Sequence, residues 1–347
     1  MTQSFEVYNK IKLLGEGAFG KAFLVECQSD KQLAVIKQIV IAKMSEKERI
    51  ETLKEAQILQ IFNHPNIVRF RESYKTKKGH LCIVMDYADG GDLAKAIEDQ
   101  KGRYFTETQI LDWFTQICLG MKHVHDRKIL HRDIKCQNVF LTKQGIIKLG
   151  DFGIARVLSH TKEVSRSMVG TPYYLSPEII EGKPYSFKSD IWSLGVMLYE
   201  MCALKPPFEG MNMHFLAMHI VRGKFAQIPI HFSRELRELV NQMLTTDVSK
   251  RPTINQILRV PLISVRIKKF LEQETFKDEF SHTILHRKQV ILGDPDEMSK
   301  PILPRPPTPA IIKIEEPLKV AMPVPPQKPL ISNRYASPSP SDYAKKL

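Results

Sequence analysis

Residues 131–140 read HRDIKCQNVF, and they crowd His131, Arg132, Asp133, Lys135 and Asn138 between apolar stretches. Asp151 follows in DFG, after the short apolar run GIIKL. These residue types match the parts that phosphoryl transfer needs. A carboxylate must meet the attacking hydroxyl and take its proton, and Asp133 is the candidate. A carboxylate and an amide oxygen must hold a hard cation such as magnesium, and Asp151 and Asn138 supply them. A cation near the γ-phosphate offsets its charge, a role that suits Lys135.

Upstream, GEGAFG sets Gly15, Gly17 and Gly20 in a GxGxxG pattern. Glycine lets backbone N–H groups approach a phosphate closely. The following KAFLVEC alternates like a strand, so the pattern predicts a hairpin over a ligand. A dinucleotide fingerprint needs a helix there, and a Walker loop needs Lys-Ser/Thr after the last glycine; here Gly20 is followed by Lys21 and Ala22. Lys37 lies on the apolar run AVIK. A lysine buried alone is costly, and Glu55 on the next predicted helix is its expected ion-pair partner. Their pairing would hold Lys37 against the α- and β-phosphates of a nucleotide.

These groups need elements to position them. The first ~85 residues read as strands with one helix. NKIKLLG, KAFLVEC, QLAVIKQIV, HPNIVRF and HLCIVMDY are the expected strands, and Ser45 with Glu48 forms a capping-box pattern for the helix. Ile50, Leu53 and Ile58 recur along that helix at roughly helical spacing. Helical patterns then dominate: ETQILDWFTQICLGMKHVHD, SDIWSLGVMLYEMCAL and SRELRELVNQMLT are the clearest. A strand-rich first part and a helix-rich second part predict two lobes.

The chain has 347 residues, is 43% hydrophobic and carries a net charge of +13, a balance that permits a real core and favours anionic partners. Its five cysteines include no CxxC pair, which argues against a disulfide framework or zinc cluster and for a reducing compartment. The N-terminal MTQSFEVYNK lacks a signal peptide's apolar core, and no stretch reaches ~18 uninterrupted apolar residues, so no membrane insertion is expected. Of 22 prolines, twelve fall between Pro301 and Pro340, which predicts an extended, low-complexity tail over 301–347.

Taken in order, GEGAFG, AVIK, Glu55, HRDIKCQN, DFG, SPE (176–178) and SDIWSLG resemble a eukaryotic protein kinase. HDRKILHRDIK, GDFGIARVL and GTPYYLSPE resemble the NIMA-related (never-in-mitosis) serine/threonine family. The resemblance implies an α+β, two-lobed kinase domain over 8–259, with an N-lobe of about 8–87 and a C-lobe of about 88–259. Residues 260–300 are then a linker with a helical segment. It implies ATP, with magnesium or manganese, and protein substrates. Leu14, Gly15, Glu16, Gly17, Ala18, Phe19, Gly20, Lys21 and Ala22 would cover the nucleotide. Met85 would be the gatekeeper, and Asp86 and Ala88 would bond adenine. Leu59, Phe70, His131 and Phe152 would stack between the lobes. Glu178 would pair with Arg251, and Asp190 would anchor the catalytic loop. Two residues depart from the pattern, Ala22 where valine is usual and Ser176 where alanine is usual; neither removes a chemical group from the mechanism.

Lys135 and Thr171 resemble the serine/threonine class. Between DFG and SPE lie Ser159, Thr161, Ser165 and Ser167. A phosphate there adds about −1.5 to −2 charges near Arg132 and Arg156 and can order the loop. Ser167 matches the position that family members phosphorylate. In the tail, PVPPQK (323–328) resembles an SH3-type ligand, and Thr308, Ser337 and Ser339 each precede proline. No sustained heptads follow the catalytic motifs. The expected location is cytoplasmic or nuclear, and the resemblance adds centrosome or cilium. Two alternatives remain: a pseudokinase scaffold, which intact Lys37, Asp133 and Asp151 disfavour, and a basic nucleic-acid-binding protein, which lacks a recognition motif.

Overall fold

The computed structural model describes residues 7–272 apart from 18, 19, 43 and 152–171, together with 275, 276, 279 and 280; the side chains of residues 47, 51, 54, 55, 57 and 58 also lie outside the described set. Ala18, Phe19, Phe152, Ser159, Thr161, Ser165, Ser167, Thr171, the side chains of Glu55 and Ile58, and the proline-rich tail therefore fall outside it.

The first lobe is a five-stranded antiparallel sheet. Strands β1 (Tyr8–Gly17), β2 (Gly20–Cys27), β3 (Leu33–Val40), β4 (Phe70–Lys75) and β5 (His80–Asp86) run in the order β1-β2-β3-β5-β4. Helix α1 (Glu46–Ile58) lies between β3 and β4 in the chain. Its start is a reciprocal cap: Glu48 N–H donates to Ser45 Oγ at 3.3 Å, and Ser45 N–H donates to Glu48 Oε2 at 2.7 Å. Along it Leu53 packs against the main core, while Ile50 is exposed.

Side chains alternate across the sheet, and this fixes the site. On β3, Ala34 and Ile36 join Val25, Cys82 and Val84 in a small outer core. Lys37 and Ile39 face the other way; Ile39 enters the main core, and Lys37 pairs in register with Ala22 on β2 and Ile83 on β5.

The expected strand HPNIVRF is instead a loop, and β4 begins only at Phe70. Pro65 has no N–H to give a ladder. His64 Nδ1 takes the Asn66 N–H at 3.0 Å, and His64 O takes the Ile67 N–H at 3.1 Å, closing a turn. The apolar pair Ile67-Val68 then reaches the second lobe, where Val68 N–H bonds Leu149 O at 2.7 Å.

The second lobe is helical. It contains α2 (Leu93–Glu98), α3 (Glu107–Asp126), a small hairpin of β6 (Val139–Leu141) and β7 (Ile147–Leu149), then α4 (Pro177–Ile180), α5 (Phe187–Ala203), α6 (Met213–Arg222), α7 (Arg234–Met243), α8 (Ile254–Ile257) and α9 (Pro261–Phe270). Helix α5 is apolar nearly all round and is buried along most of its length, as a central helix must be. The main core runs from Leu59 and Ile83 in the first lobe through α3 and α5 to α7. It continues beyond residue 259, since Ile263 and Ile267 of α9 belong to it. Among the described residues no helix is long and apolar enough to cross a membrane.

Candidate active site

The loop after α3 carries Asp133, Lys135 and Asn138, and its shape is set from below by Asp190 in the first turn of α5. Asp190 is fully buried. Its Oδ2 accepts the His131 N–H at 3.0 Å, and its Oδ1 accepts the Arg132 N–H at 3.0 Å. His125 Nε2 lies 2.9 Å from Oδ2, and Tyr185 Oη donates to Oδ1 at 2.6 Å. Burial pushes this carboxyl up, but the His125 bond and charge, with the Tyr185 bond, hold it below the usual range. Arg132 needs such support because its φ of 66° is left-handed. His131 is also buried, and burial pushes its imidazole down.

On the upper side of this loop the groups converge on Asp133. Lys135 Nζ donates to Asp133 Oδ2 at 2.9 Å. Asn138 Nδ2 donates to the same oxygen at 2.8 Å and to Asp133 O at 2.7 Å. Its Nδ2 being committed to Asp133, Asn138 presents Oδ1 as the end available to a ligand. Asn138 O accepts the Gly150 N–H at 3.0 Å, which ties this loop to Asp151. Asp151 has a left-handed φ of 47°. Its Oδ1 accepts from Lys37 Nζ at 2.6 Å. Lys37 and Asp151, 114 residues apart, thus meet between the lobes. Both line a small cavity with Leu59, Val68, Phe70, Ile83, Met85 and Gly150. The expected Lys37–Glu55 pair rests on a side chain outside the described set.

The glycine loop is a hairpin. Glu16 pairs in register with Lys21, and their side chains lie 3.1 Å apart. Gly20 is required by the protein itself, since a Cβ there would meet Gln38 O at 1.9 Å. Gly15 and Gly17 are different: a Cβ on either meets no described atom within 4 Å. Packing does not demand glycine there, whereas close approach of a phosphate does. Leu14 is exposed on β1, and Ala22 lies over Lys37 through the β2–β3 register. Met85 lies opposite Val35 and Phe70, and Asp86 ends β5, with Ala88 in the loop beyond. Arg71 Nε donates to Asp86 Oδ1 at 2.6 Å.

Glu178 and Arg251 form a buried, two-pronged pair, Nη1–Oε1 at 2.8 Å and Nη2–Oε2 at 3.1 Å. Ser189 Oγ adds a bond to Glu178 Oε1 at 2.7 Å, and the guanidinium lies 5.0 Å from the Trp192 ring centre.

Several site residues escaped sequence reasoning. Tyr174 Oη donates to Glu200 and accepts the Cys136 N–H at 3.2 Å, joining α5, the Asp133 loop and the segment before α4 in one buried cluster. Burial pushes the Glu200 carboxyl up. Glu200 inside the run IWSLGVMLYEMCAL was the available signal, because a buried carboxyl must find donors. Asn66, whose Nδ2 reaches Gln116 Oε1 at 3.0 Å and Ile147 O at 3.1 Å, was hidden inside the supposed strand.

The protein kinase domain model matches residues 8–263. The chain belongs to the protein kinase family. Its relatives carry NIMA-related (Nek) names. It is 54% identical to serine/threonine-protein kinase Nek1 of Mus musculus over 275 residues, 79% of this chain and 23% of that one. It is 52% identical to serine/threonine-protein kinase Nek5 of Homo sapiens over 281 residues, 81% and 40% of the two. Serine/threonine-protein kinase Nek3 of Mus musculus is 44% identical over 293 residues, 84% and 56%. The chain therefore spans well under two thirds of each of these relatives. The fold, two lobes with a β-rich first and a helical second, is that of the family. Membership implies ATP and a divalent metal. The residues fit both small partners: the open approach at Gly15 and Gly17 suits phosphates, and Asn138 and Asp151 offer hard oxygens. A kinase metal takes one or two carboxylates and completes its shell with phosphates and water.

Proposed function

We propose that this protein is an active serine/threonine kinase that transfers the γ-phosphate of ATP to hydroxyls of protein substrates. One relationship carries the reading: Lys37 and Asp151 meet at 2.6 Å, and the Gly150 N–H next to Asp151 bonds Asn138 O on the loop where Lys135 and Asn138 engage Asp133. Lys37, Asp133, Lys135 and Asp151 are all present and engaged, which favours catalysis over a scaffold.

Asp133 accepts the proton of the attacking Ser or Thr hydroxyl as its oxygen bonds the γ-phosphorus and the bond to the ADP oxygen breaks. Lys135 keeps that carboxylate oriented and offsets charge on the transferring group. Lys37 holds the α- and β-phosphates, and the hairpin with Gly15 and Gly17 covers them. Asn138 and Asp151 would hold magnesium, which when bound supplies positive charge to the phosphate oxygens. Asp86 and Ala88 hold adenine through their backbone, and Arg71 fixes Asp86. Phosphorylation at Ser167 switches activity on by pairing with Arg132. We place the protein in the cytoplasm, with the nucleus, centrosome or cilium as further sites of action.

Transfer of labelled phosphate from ATP to a generic protein acceptor tests this, beside Asp133→Asn. Wild type should phosphorylate Ser or Thr, and the variant should lose at least about 10²-fold. ATP binding without transfer, even with a phosphomimetic at Ser167, would move the reading to a scaffold.

A further inference from the structure

The family's domain ends at residue 263, but the structured chain does not. Phe276 and Phe280 stack with ring centres 4.8 Å apart and pack against the main core. Glu279 beside them is only 9% exposed. Its Oε1 lies 2.5 Å from His123 Nδ1 on α3, and its backbone carbonyl accepts from Lys122 Nζ at 2.5 Å. Lys122 Nζ also lies 5.1 Å from the Phe280 ring centre and pairs with Asp126. Lys122 is 1% exposed, and a lysine so deep needs several partners. Two of its three come from residues 279 and 280.

The contact extends towards the catalytic cleft. The His123 ring lies 5.1 Å from that of His64. His64 accepts the Asn66 N–H, and Asn66 O accepts the Leu149 N–H at 2.8 Å. Leu149 ends β7, two residues before Asp151. A buried carboxylate–imidazole contact thus backs the loop from which β7 is hung.

We propose that Phe276, Glu279 and Phe280 form a strap intrinsic to the catalytic unit, and that Glu279 is a positioning residue which, through His123 and His64, steadies the 64–68 loop against β7 and so Asp151. The strap stands on the geometry alone; its effect on nucleotide affinity rests on the kinase reading of Asp151.

The test uses the full chain with Glu279→Ala, Glu279→Gln, His123→Asn and the Glu279→Ala/His123→Asn pair, all at 25 °C. Amide hydrogen exchange is followed in peptides covering 62–69 and 116–127. Glu279→Ala should raise exchange in both stretches by at least about threefold, and the double variant should be no worse than the worse single, since the two residues act as a pair. KM for ATP should rise while kcat changes little, a split that general loosening would not give. Glu279→Gln, which keeps the shape, should lie between wild type and alanine, and is read by the same criteria if the alanine variant does not fold. Unchanged exchange at 62–69 in a folded Glu279 variant overturns the strap, whatever the activity. Raised exchange with an unaltered KM overturns the link to Asp151. Raised exchange in a chain whose wild type transfers no phosphate leaves the strap standing and removes the kinase reading instead.

Discussion

Asp190 Oδ1 accepts the Arg132 N–H at 3.0 Å across 58 residues of chain, and so a buried carboxylate on α5 holds a left-handed residue next to Asp133. Asparagine at 190 keeps the volume, but it places an amide donor where four donors already point. We expect Asp190→Asn to cost about 2–3 kcal/mol of stability, the scale of unsatisfied buried groups next to a charge. Phosphate transfer should fall with it. Urea unfolding followed by tryptophan fluorescence checks the first, and kcat at 25 °C the second.

Glu178 and Arg251 offer a cleaner energy. Arg251 is fully buried, so removing Glu178 strands a guanidinium. Burial raises the Glu178 carboxyl, but the Arg251 and Ser189 bonds hold it below the usual range. Glu178→Ala or Arg251→Ala should each cost about 3–5 kcal/mol. Glu178→Gln with Arg251→Met should be less damaging than either alanine, because neither charge is then left alone. A double-mutant cycle in denaturant measures this; additive losses would contradict the pairing.

Lys37 makes the opposite case. Its side chain and that of Asp151 are 30% and 40% exposed, so their pair contributes little to folding. Lys37→Met should shift stability by under about 1 kcal/mol and lower phosphate transfer at least about 10²-fold. Melting temperature and initial rate, measured on the same preparation, separate the two effects.

The three glycines of the hairpin should divide. Gly20→Ala drives a Cβ into Gln38 O, and we expect a loss of about 1–3 kcal/mol. Gly15→Ala and Gly17→Ala meet no described atom and should melt like wild type, while KM for ATP rises. If all three melt alike, the steric account of Gly20 is wrong.

Acid should weaken the fold before it reaches ordinary carboxylates. Burial pushes His64 down from 6.5 to about 3, with His123, Arg127 and Lys148 adding to the shift and Glu279 opposing it. The unfolded chain takes this proton as pH falls through 6.5; the folded chain refuses it until about 3. The stability from His64 is therefore complete above 6.5 and is lost below it, at up to about 1.4 kcal/mol per pH unit. His131, lowered by burial, acts in the same direction. Glu279 is raised by burial but lowered more by its His123 bond and charge, and it adds a loss below 4.5. His64→Asn retains an acceptor for the Asn66 N–H and should flatten the fall in melting temperature between about pH 6.5 and pH 5.

The sequence by itself determined the chemical groups and most of the elements. Asp133, Lys135, Asn138 and Asp151 are close along the chain, and their order around GIIKL allows few arrangements. Alternation in KAFLVEC, the short apolar run AVIK and the apolar stripe over residues 107–126 declared strands and helix because such local patterns are written in the chain. Only the tertiary structure decided what meets across distance. Lys37 finds Asp151 and Glu279 finds His123, because side-chain pairing depends on which faces pack together, and one chain offers many acids to each base; the Arg251–Glu178 pair is legible in the sequence only through the family resemblance. The loop at 64–69 failed as a strand for the same reason. Its apolar pattern matched a strand, but Pro65 and the His64 turn broke the ladder, and the partner it was built for, Leu149, belongs to the other lobe.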